Sequence, residues 1–535
     1  MPDPAVRSSS HGDAARRRIL SDILRLQALR NPDRLALVYE GRRDTFAELN
    51  VLVNRAANGL RAAGIRPGDK VAIFSHNNRA YVLLRFAIIR AGAVFVPVNF
   101  MLGPSEVGYI LRHSDSRFIL AEDALCATAE EALVQIGGQG IARACLRHLG
   151  VAPPPGWIDG DKLFDFPDAE EPRPDRDEGD PVQIMYTSGT ESRPKGALLN
   201  SRALMSHYAS CIIDGEMSAG DVELHCLPLY HCAQLDCFLS VDLYLGATSV
   251  LLRAPEPAII LATIEAERIN KFFAPPTVWI SLLRHPDFDR RDLSTLAKGY
   301  YGASIMPTAI IEELTERLPS LRLWNFYGQT EMSPLATVLK PEHQMTRVGS
   351  AGKPCLNVET RVVDDDGSDV APGEVGEIVH RSPHAMLGYL NDEEKTAEVF
   401  RDGWFHSGDL GRLDGDGFLY IVDRKKDMIK SGGENVASRE VEEELFHHPA
   451  VAEVAVLGLP DPYWVEAVVA VVVRKRGAEV DDAMLDAYCR ERLAAYKRPK
   501  RFFFLDALPK NASGKVLKRE LREQLSRGGG TLDLG

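Results

Sequence analysis

The sequence predicts an α/β fold: a large N-terminal domain of α/β subdomains with a small β-barrel-like subdomain, then a smaller α+β C-terminal domain. Three features carry that expectation. Apolar runs of strand length alternate with helical patterns to about residue 330, as βα units do. From Gly349 to Tyr420 the texture shifts to short strands separated by turns such as Asp364-Asp-Asp-Gly367 and Asp414-Gly-Asp-Gly417. Beyond the charged run Asp423-Arg-Lys-Lys-Asp427, a fresh set of elements fills about 100 residues, a usual domain length.

In chain order, 71–74 reads as a strand, 80–91 as a helix, 94–98 as a strand and 104–113 as a helix. The Pro-rich acidic stretch 166–180 reads as an exposed loop that delivers the chain into a strand over 182–186. After the small β subdomain, a helix is expected over 439–447, strands over 451–457 and 468–473, a helix over 481–496 and a strand over 501–505. The expected division is a disordered tail over 1–17, an N-terminal domain over 18–422, a hinge over 423–427, a C-terminal domain over 428–525 and a loose Gly-rich tail over 526–535. No internal repeat is visible.

Composition narrows the function classes. A chain of 535 residues suggests roughly three to four domain-sized units. With 45% hydrophobic and 26% charged residues it reads as an ordinary globular protein, and a net charge of -13 argues against a general nucleic-acid binder. No apolar run reaches the roughly 18 residues of a spanning helix, the N-terminal stretch lacks an apolar signal core, and a cytoplasmic setting is expected. The 8 cysteines show no C-x-x-C spacing, which fits a reducing compartment. His207, Cys211, His225, Cys226, His231, Cys232 and Cys237 crowd one region, but their spacings match no common metal site and they read as buried core residues.

The segment YTSGTESRPKG, running from Tyr186 to Gly196, turns an apolar strand into small hydroxylated residues ending in Pro-Lys-Gly. Small side chains let backbone N–H groups approach an anion, Thr187, Ser188 and Thr190 offer hydroxyls, and Lys195 offers a cation. Taken alone, such a loop is more often an ordinary turn. Four further segments bear on chemistry. In Asn325-Phe-Tyr-Gly-Gln-Thr-Glu331, Tyr327 suits stacking on a base and Glu331 suits a hard cation such as Mg²⁺, or the segment is a packed aromatic before a capped helix. In Trp404-Phe-His-Ser-Gly-Asp409, the carboxylate suits the two hydroxyls of a ribose, or it sits in a polar turn. The charged run at 423–427 leads to Ser431, Gly432 and Gly433, against which a thin ligand can lie; charge runs are also commonly solvated faces. Pro509-Lys-Asn-Ala-Ser-Gly-Lys515 presents a lysine on a flexible glycine loop, or a plain surface lysine.

The order and content of these segments, with LPLYH ending at His231, GASIMP from Gly302 and RVVDDDG from Arg361, resemble the adenylate-forming superfamily of acyl-CoA synthetases, luciferases and peptide-synthetase adenylation domains. The resemblance spans about residues 30 to 525, and the SGGENV and GKVLKREL segments are most similar to fatty-acyl-CoA synthetases. It implies an N-terminal AMP-binding domain and a mobile C-terminal lid. It also implies that Thr187, Ser188, Gly189, Thr190 and Lys195 wrap the β- and γ-phosphates of ATP, that Asn325 bonds the adenine amino group and that Tyr327 packs on the ring. Gly302, Ala303, Ser304 and Gly328 join that nucleotide site, Thr330 contacts the α-phosphate and Glu331 holds Mg²⁺. Asp409 takes both ribose hydroxyls with Arg424 assisting, Lys426 is the pivot, and Lys515 bridges the carboxylate and α-phosphate. Catalysis falls to Lys515, Glu331, Thr187 and Lys195, and the CoA tunnel to Ser431, Gly432 and Gly433.

By position, His231, Gln234, Leu235, Phe238, Trp279, Tyr301 and Leu335 are the candidates for the acyl pocket, and their apolar or aromatic character suits an aliphatic chain or an aryl acid. Ordinary core packing also suits Leu235 and Phe238. One departure from the pattern stands out: the phosphate loop reads Thr-Glu-Ser where many relatives have Thr-Thr-Gly, so Glu191 is expected to point away from the triphosphate. The leading expectation is an ATP-, Mg²⁺- and CoA-dependent ligase of a medium- or long-chain fatty acid or similar hydrophobic carboxylic acid, releasing AMP and pyrophosphate. The alternatives are an acyl-AMP ligase serving a carrier protein and a non-catalytic acyl or nucleotide sensor. No nucleic-acid partner and no integral membrane segment are expected, and a homodimer is the candidate assembly.

Overall fold

A computed structural model describes residues 17–187, 194–304, 306–431, 434–510 and 516–527, the side chain of Arg527 excepted. Among the described residues the strands form four sheets. The nine-stranded sheet runs Lys353–Pro354, Leu335–Leu339, Arg322–Gly328, Lys298–Gly302, Lys271–Phe273, Val222–His225, Thr248–Leu251, Leu35–Tyr39, Arg42–Thr45. The eight-stranded sheet runs Gly388–Tyr389, Lys195–Asn200, Pro181–Thr187, Val94–Val98, Lys70–Phe74, Ser116–Glu122, Ala142–Leu146, Ile158–Asp159. Both are parallel at their centres, with antiparallel pairs at the edges.

Strand Lys70–Phe74 shows why the centre is parallel and covered on both faces. Its apolar run alternates, Val71 and Ile73 facing one core and Ala72 and Phe74 the other. The first core lies between the two sheets and takes in Leu83 of helix Arg79–Arg90, Ala56 of Phe46–Ala62 and Tyr208 of Ser201–Asp214. The second takes in Val107 and Leu111 of Pro104–His113 and Ala129 of Cys126–Ile136. Local chemistry fixes the helix starts: Thr45 and Glu48 form a reciprocal capping box, and Asn78 accepts from Tyr81 N at 2.8 Å.

Buried charge ties the layers together. Arg85 donates to Gln183 Oε1 at 3.0 Å and to Asp236, whose Oδ2 accepts from Gln183 Nε2 at 2.8 Å. At the carboxyl ends of the parallel strands, Glu122 accepts from Ser75 Oγ at 3.1 Å, from His76 N at 3.0 Å and from Arg253 Nη2. Burial alone would raise the pKa of Glu122, but the hydrogen bonds from His76 and Arg253 outweigh it and hold the group down at about 2.

The third and fourth sheets answer to the small β subdomain and the C-terminal unit. The third runs Glu359–Val363, Gly376–Arg381, Trp404–Leu413, Phe400–Arg401, with Leu419–Arg424 also on Trp404–Leu413. The fourth is built on the hairpin of Val451–Asp461 with Val465–Arg474. These two strands are longer than the sequence patterns over 451–457 and 468–473 indicate, because pairing carries the first through Gly458 and Pro460 to a turn where Asp461 Oδ1 accepts from Tyr463 N and Trp464 N, both at 2.8 Å. The helix expected over 481–496 is Asp482–Arg492: Leu493 goes extended and buries its side chain in the C-terminal core. Arg17, expected in the tail, donates to Pro174 O, and helix Lys518–Arg527 continues past the expected end at 525.

Val465 has φ +67°, in the left-handed region that a β-branched side chain rarely adopts, and it is 67% exposed. Val465→Gly is expected to stabilise the C-terminal unit by about 1 kcal/mol, the relieved strain exceeding the added chain entropy; a lower denaturant midpoint in this variant would sink the strain argument. Glu122 gives a pH prediction. A depressed native pKa contributes stability above the unfolded value, near 4.5, and that contribution is lost as pH falls towards about 2. Glu122→Gln is expected to lower the thermal midpoint at pH 7, by the equivalent of up to about 3 kcal/mol, with the gap to wild type narrowing as pH falls from 4.5 towards 3. A gap independent of pH would contradict it.

Candidate functional site

The site grows out of one strand end. Arg322–Gly328 is parallel to Lys298–Gly302, with Tyr301 opposite Asn325 and Gly302 opposite Phe326, so both strands deliver their carboxyl ends to the same edge. At Gly328 a Cβ would stand 1.9 Å from Pro334 O, so only glycine lets the chain fold back there. Gly302 is equally confined, 2.5 Å from Phe326 O, and is followed by Ala303 at φ +64° and by Ser304, both exposed.

Two clusters sit at opposite ends of the turn 327–331. In the first, Tyr327 OH donates to Asp409 Oδ2 at 2.7 Å, Gln329 Nε2 donates to the same oxygen at 3.1 Å, and Arg424 Nε lies 3.5 Å from Oδ1. Asp409 and Arg424 are opposite each other in adjacent strands, which sets that last pair. Burial, then the charge of Asp409, raises the Tyr327 phenol well above its ordinary pKa, so it remains a donor. Asn325 is 5% exposed and donates to Ser350 O at 3.2 Å. Gln329 was not anticipated from sequence; its partner lies 80 positions away.

In the second cluster, Tyr389 OH donates to Glu331 Oε1 at 2.8 Å, and Lys195 Nζ lies 5.4 Å from the Tyr389 ring centroid. Thr330 Oγ1 is 3.2 Å from Cys232 Sγ, which brings the LPLYH segment alongside. The hairpin of Pro181–Thr187 and Lys195–Asn200 pairs Tyr186 with Gly196 and Thr187 with Lys195. Helix Pro104–His113 braces both stems: His113 Nδ1 is 2.9 Å from Tyr186 OH, and Tyr109 OH donates to Pro194 O at 3.2 Å. Ser188, Gly189, Thr190 and the Glu191-Ser192 variation lie outside the described residues, as do Gly432, Gly433 and Lys515. Lys426 is in the exposed turn between Leu419–Arg424 and Ile429–Ser431, and Ser431 is buried at the end of the latter strand.

The donor set suits Mg²⁺. Tyr389 OH engages only the Oε1 oxygen of Glu331, and Mg²⁺ is commonly held by one or two carboxylates together with substrate phosphates.

The acyl-pocket candidates divide. His231 is half-buried beside Cys232, and its Nδ1 accepts from Ala233 N at 3.3 Å. Gln234 is engaged within the protein: its Oε1 accepts from Leu227 N at 3.3 Å and its amide meets His225 Nδ1 at 2.7 Å. Phe238 stacks on Phe273 at 4.2 Å and on Phe326 at 5.6 Å. Trp279 donates to Tyr300 O at 3.1 Å and packs edge-on against Phe272, inside the main core. Tyr301 OH donates to Gln344 Oε1 at 2.7 Å, and Leu235 and Leu335 are buried.

The cysteine–histidine crowd is packed rather than open. His207, Cys211 and Cys237 come together with Nε2 to Sγ distances of 3.2 and 3.6 Å, all fully buried. Burial pushes both thiols up and the imidazole down, so all three are neutral at pH 7, and His207 Nδ1 has no partner to orient the ring as a ligand. Among the described residues no helix is long and apolar enough to cross a membrane.

The profile of the AMP-binding enzyme family matches residues 24–390, and that of the AMP-binding enzyme C-terminal domain matches 440–515. Feruloyl-CoA synthase of Amycolatopsis sp is 40% identical over 500 residues, 93% of this chain and 97% of that protein. Indoleacetate–CoA ligase of Aromatoleum aromaticum is 37% identical over 510 residues, 95% and 98% of the two chains. A long-chain-fatty-acid–CoA ligase of Bacillus subtilis is 33% identical over 534 residues, 94% of each. Among solved structures, ATP-bound MatB from Rhodopseudomonas palustris superposes with a TM-score of 0.87 at 29% identity, covering 95% of this chain and 99% of that one. With two profiles in series and relatives aligned over nearly their whole length, the chain belongs to the AMP-binding enzyme family.

Proposed function

We propose that this chain is an AMP-forming acid–thiol ligase that activates a hydrophobic carboxylic acid as its acyl-adenylate and transfers the acyl group to CoA. The observation that supports it most is the five-residue turn 327–331. One end engages Asp409, a carboxylate suited to a ribose diol, and the other presents Glu331 beside Lys195, suited to a cation and a polyphosphate. A nucleoside triphosphate laid along the turn meets both, with Thr330 between them.

The residues divide the work. A carboxylate is a poor acyl donor until its oxyanion is exchanged for a good leaving group, and attack on the α-phosphorus of ATP makes that exchange, with pyrophosphate departing. The α-phosphate oxygens and the incoming carboxylate repel each other, so cations placed there lower the barrier. Lys515 would bridge the two, Lys195 and Thr187 would steady the departing β- and γ-phosphates, and Asp409 with Arg424 would hold the ribose. Mg²⁺, held at Glu331 when bound, supplies charge screening of the phosphate oxygens. In the second half-reaction the CoA thiol attacks the acyl carbonyl and AMP leaves. Ser431, Gly432 and Gly433 would line its approach, and rotation at Lys426 would first withdraw Lys515.

For the acid, we propose an aryl-bearing substrate of the arylalkenoate or arylacetate kind. The relatives at 40% and 37% identity act by name on feruloyl and indoleacetate acids, against 33% for the fatty-acid ligase. Phe238 stacks on Phe273 and Phe326 and meets Tyr300 edge-on; an acid laid against this buried aromatic cluster would gain offset stacking from a flat ring, whereas an extended alkyl chain would need a passage through it. A medium- or long-chain fatty acid is the second reading, favoured by the SGGENV and GKVLKREL segments.

Acid-dependent exchange of labelled pyrophosphate into ATP, run over arylalkenoic, arylacetic and straight-chain acids with CoA-thioester formation read in parallel, is expected to peak with an aryl acid. A peak among long straight-chain acids would reverse the order of the two readings, acceptance of a carrier protein in place of CoA would favour the acyl-AMP ligase, and silence across the panel would favour the sensor. Lys515→Ala is expected to cut exchange on the order of 100-fold or more while sparing thioester formation from supplied acyl-adenylate; equal loss in both would remove Lys515 from the bridging role.

A further inference from the structure

Gln329 stands where a short turn begins, yet its side chain does nothing for that turn. It precedes the 3₁₀ turn Thr330–Met332 in an extended conformation, φ −138° and ψ 160°, and makes no side-chain capping hydrogen bond there. The main chain meets the local need instead, Met332 N donating to Gln329 O at 2.8 Å. The side chain crosses to the third sheet, where Nε2 donates to Asp409 Oδ2 at 3.1 Å and to Tyr327 OH at 3.3 Å.

That crossing leaves a polar atom behind. Gln329 Oε1 is buried and has no hydrogen-bond partner among the described residues, an arrangement that costs free energy wherever it occurs. Turning the amide over does not relieve it, because two acceptor oxygens, the amide carbonyl and the Asp409 carboxylate, would then face each other. Nor does the turn need this residue for its tie to the third sheet, since Tyr327 OH already donates to Asp409 Oδ2 at 2.7 Å. What Gln329 adds is a second donor on the same carboxylate oxygen.

Asp409 is placed to use it. The residue is 7% exposed, its backbone N donates to Ser407 Oγ at 3.0 Å, and Arg424 Nε lies 3.5 Å from Oδ1. With the backbone fixed in strand Trp404–Leu413, the torsion of the carboxylate is left to be set, and two donors converging on Oδ2 set it. A carboxylate offers about four acceptor sites. Tyr327 and Gln329 share one oxygen, so they orient the group without exhausting it for a vicinal diol.

We infer that Gln329 is a positioning residue for the nucleoside: with Tyr327 it pins one oxygen of Asp409, so that the carboxylate meets the ribose diol already oriented, and the unpaired Oε1 is the stability cost of that hold. The inference rests on the reading of Asp409 as the ribose ligand given above. The competing role is support of the turn 327–331.

ATP and 2′,3′-dideoxy-ATP are titrated against full-length protein at fixed Mg²⁺, and the unliganded thermal midpoint is read for each variant. Gln329→Met keeps the length and removes both polar atoms. Its Kd for ATP is expected to rise about 10-fold, the lower end for one hydrogen bond to a charged group, while its Kd for the dideoxy nucleotide stays within about 2-fold of wild type. Its unliganded midpoint is expected to equal or exceed that of wild type. Gln329→Asn keeps the amide on a stem too short to reach Asp409, and is expected to match the Met variant in its preference between the nucleotides. Combined with Asp409→Asn, Gln329→Met is expected to add nothing further, since both act through one group. Equal weakening of the two nucleotides, wild-type affinity for ATP in either variant, a lowered midpoint of Gln329→Met or additive effects in the double variant overturns the inference. So does a wild type that binds the two nucleotides equally, which also removes the ribose from Asp409. Failure of the wild type to exchange pyrophosphate with any acid counts against the ligase reading instead, and the nucleotide titration still decides the role of Gln329.

Discussion

The arrangement of this site depends on a buried ion pair in a place where charge is expensive. Arg85 and Asp236 are both fully buried, and each has further partners: Gln183 bonds both, Tyr208 OH donates to Asp236 Oδ1 at 3.1 Å, and Ser240 accepts from Arg85. Removing one member of such a pair typically costs 3–5 kcal/mol because the other is left uncompensated. Geometry matters more here than energy. Gln183 belongs to the eight-stranded sheet, Arg85 to a helix between the sheets, and Asp236 to the π-helical segment Ala233–Leu239 that also carries Gln234 and Phe238. Through this network, the segment carrying Gln234 and Phe238 is registered to strand Pro181–Thr187.

A second buried cluster fixes the same segment from the other side. Lys271 lies 2.6 Å from Asp242 and 2.7 Å from Glu223, with His225 Nε2 3.3 Å from Asp242. Two carboxylates cannot both ionise beside one ammonium without cost. Burial, then the charge of Asp242, raises Glu223 well above its ordinary pKa, while burial of Asp242 is outweighed only by Lys271 together with the hydrogen bonds from His225 and Glu223, which hold Asp242 at about 2. At neutral pH the cluster is one cation, one anion and a protonated Glu223, with His225 kept neutral by burial and bonded to Gln234. Gln234 is thus held through its side-chain Oε1, which accepts from the Leu227 backbone N–H, and through His225 of this cluster, which is why an acyl-pocket candidate chosen by sequence position serves as a structural link.

The sequence displayed what is local. Helix Pro104–His113 and strand Val94–Val98 follow from apolar periodicity and coincide with the patterns at 104–113 and 94–98, and the alternation of Lys70–Phe74 shows both its buried faces. The chemistry-bearing motifs were equally visible because each is a short run of special residues. What stayed hidden is made by contacts across long separations. Gln329 meets Asp409 80 positions away, Tyr389 meets Glu331 58 positions away, and His113 meets Tyr186 73 positions away. Nothing near Tyr389 in the sequence distinguishes it from a strand tyrosine in a packed edge. Trp279 shows the converse, an aromatic residue in an apolar helix whose indole is absorbed by the core.

The same contacts define what domain rotation would have to change. Lys426 lies between two anchored neighbours: Arg424 remains beside Asp409 and paired in its sheet, while Asp427 is bound by Arg522 of the last helix at 3.0 Å. A turn about 425–428 can therefore carry the C-terminal unit and leave Asp409 with its arginine. It cannot leave the interface intact. Asp423 Oδ2 accepts from Ser438 N at 2.6 Å and from Ser438 Oγ at 2.8 Å, joining the strand before the turn to the first helix after it. Two hydrogen bonds to a buried carboxylate, each worth about 1.5–3 kcal/mol net, must be exchanged for water or for new partners in a rotated state. With Arg439 Nη1 donating to Ile421 O at 3.1 Å, that tether holds the first helix after the turn against the strand before it in the orientation seen here.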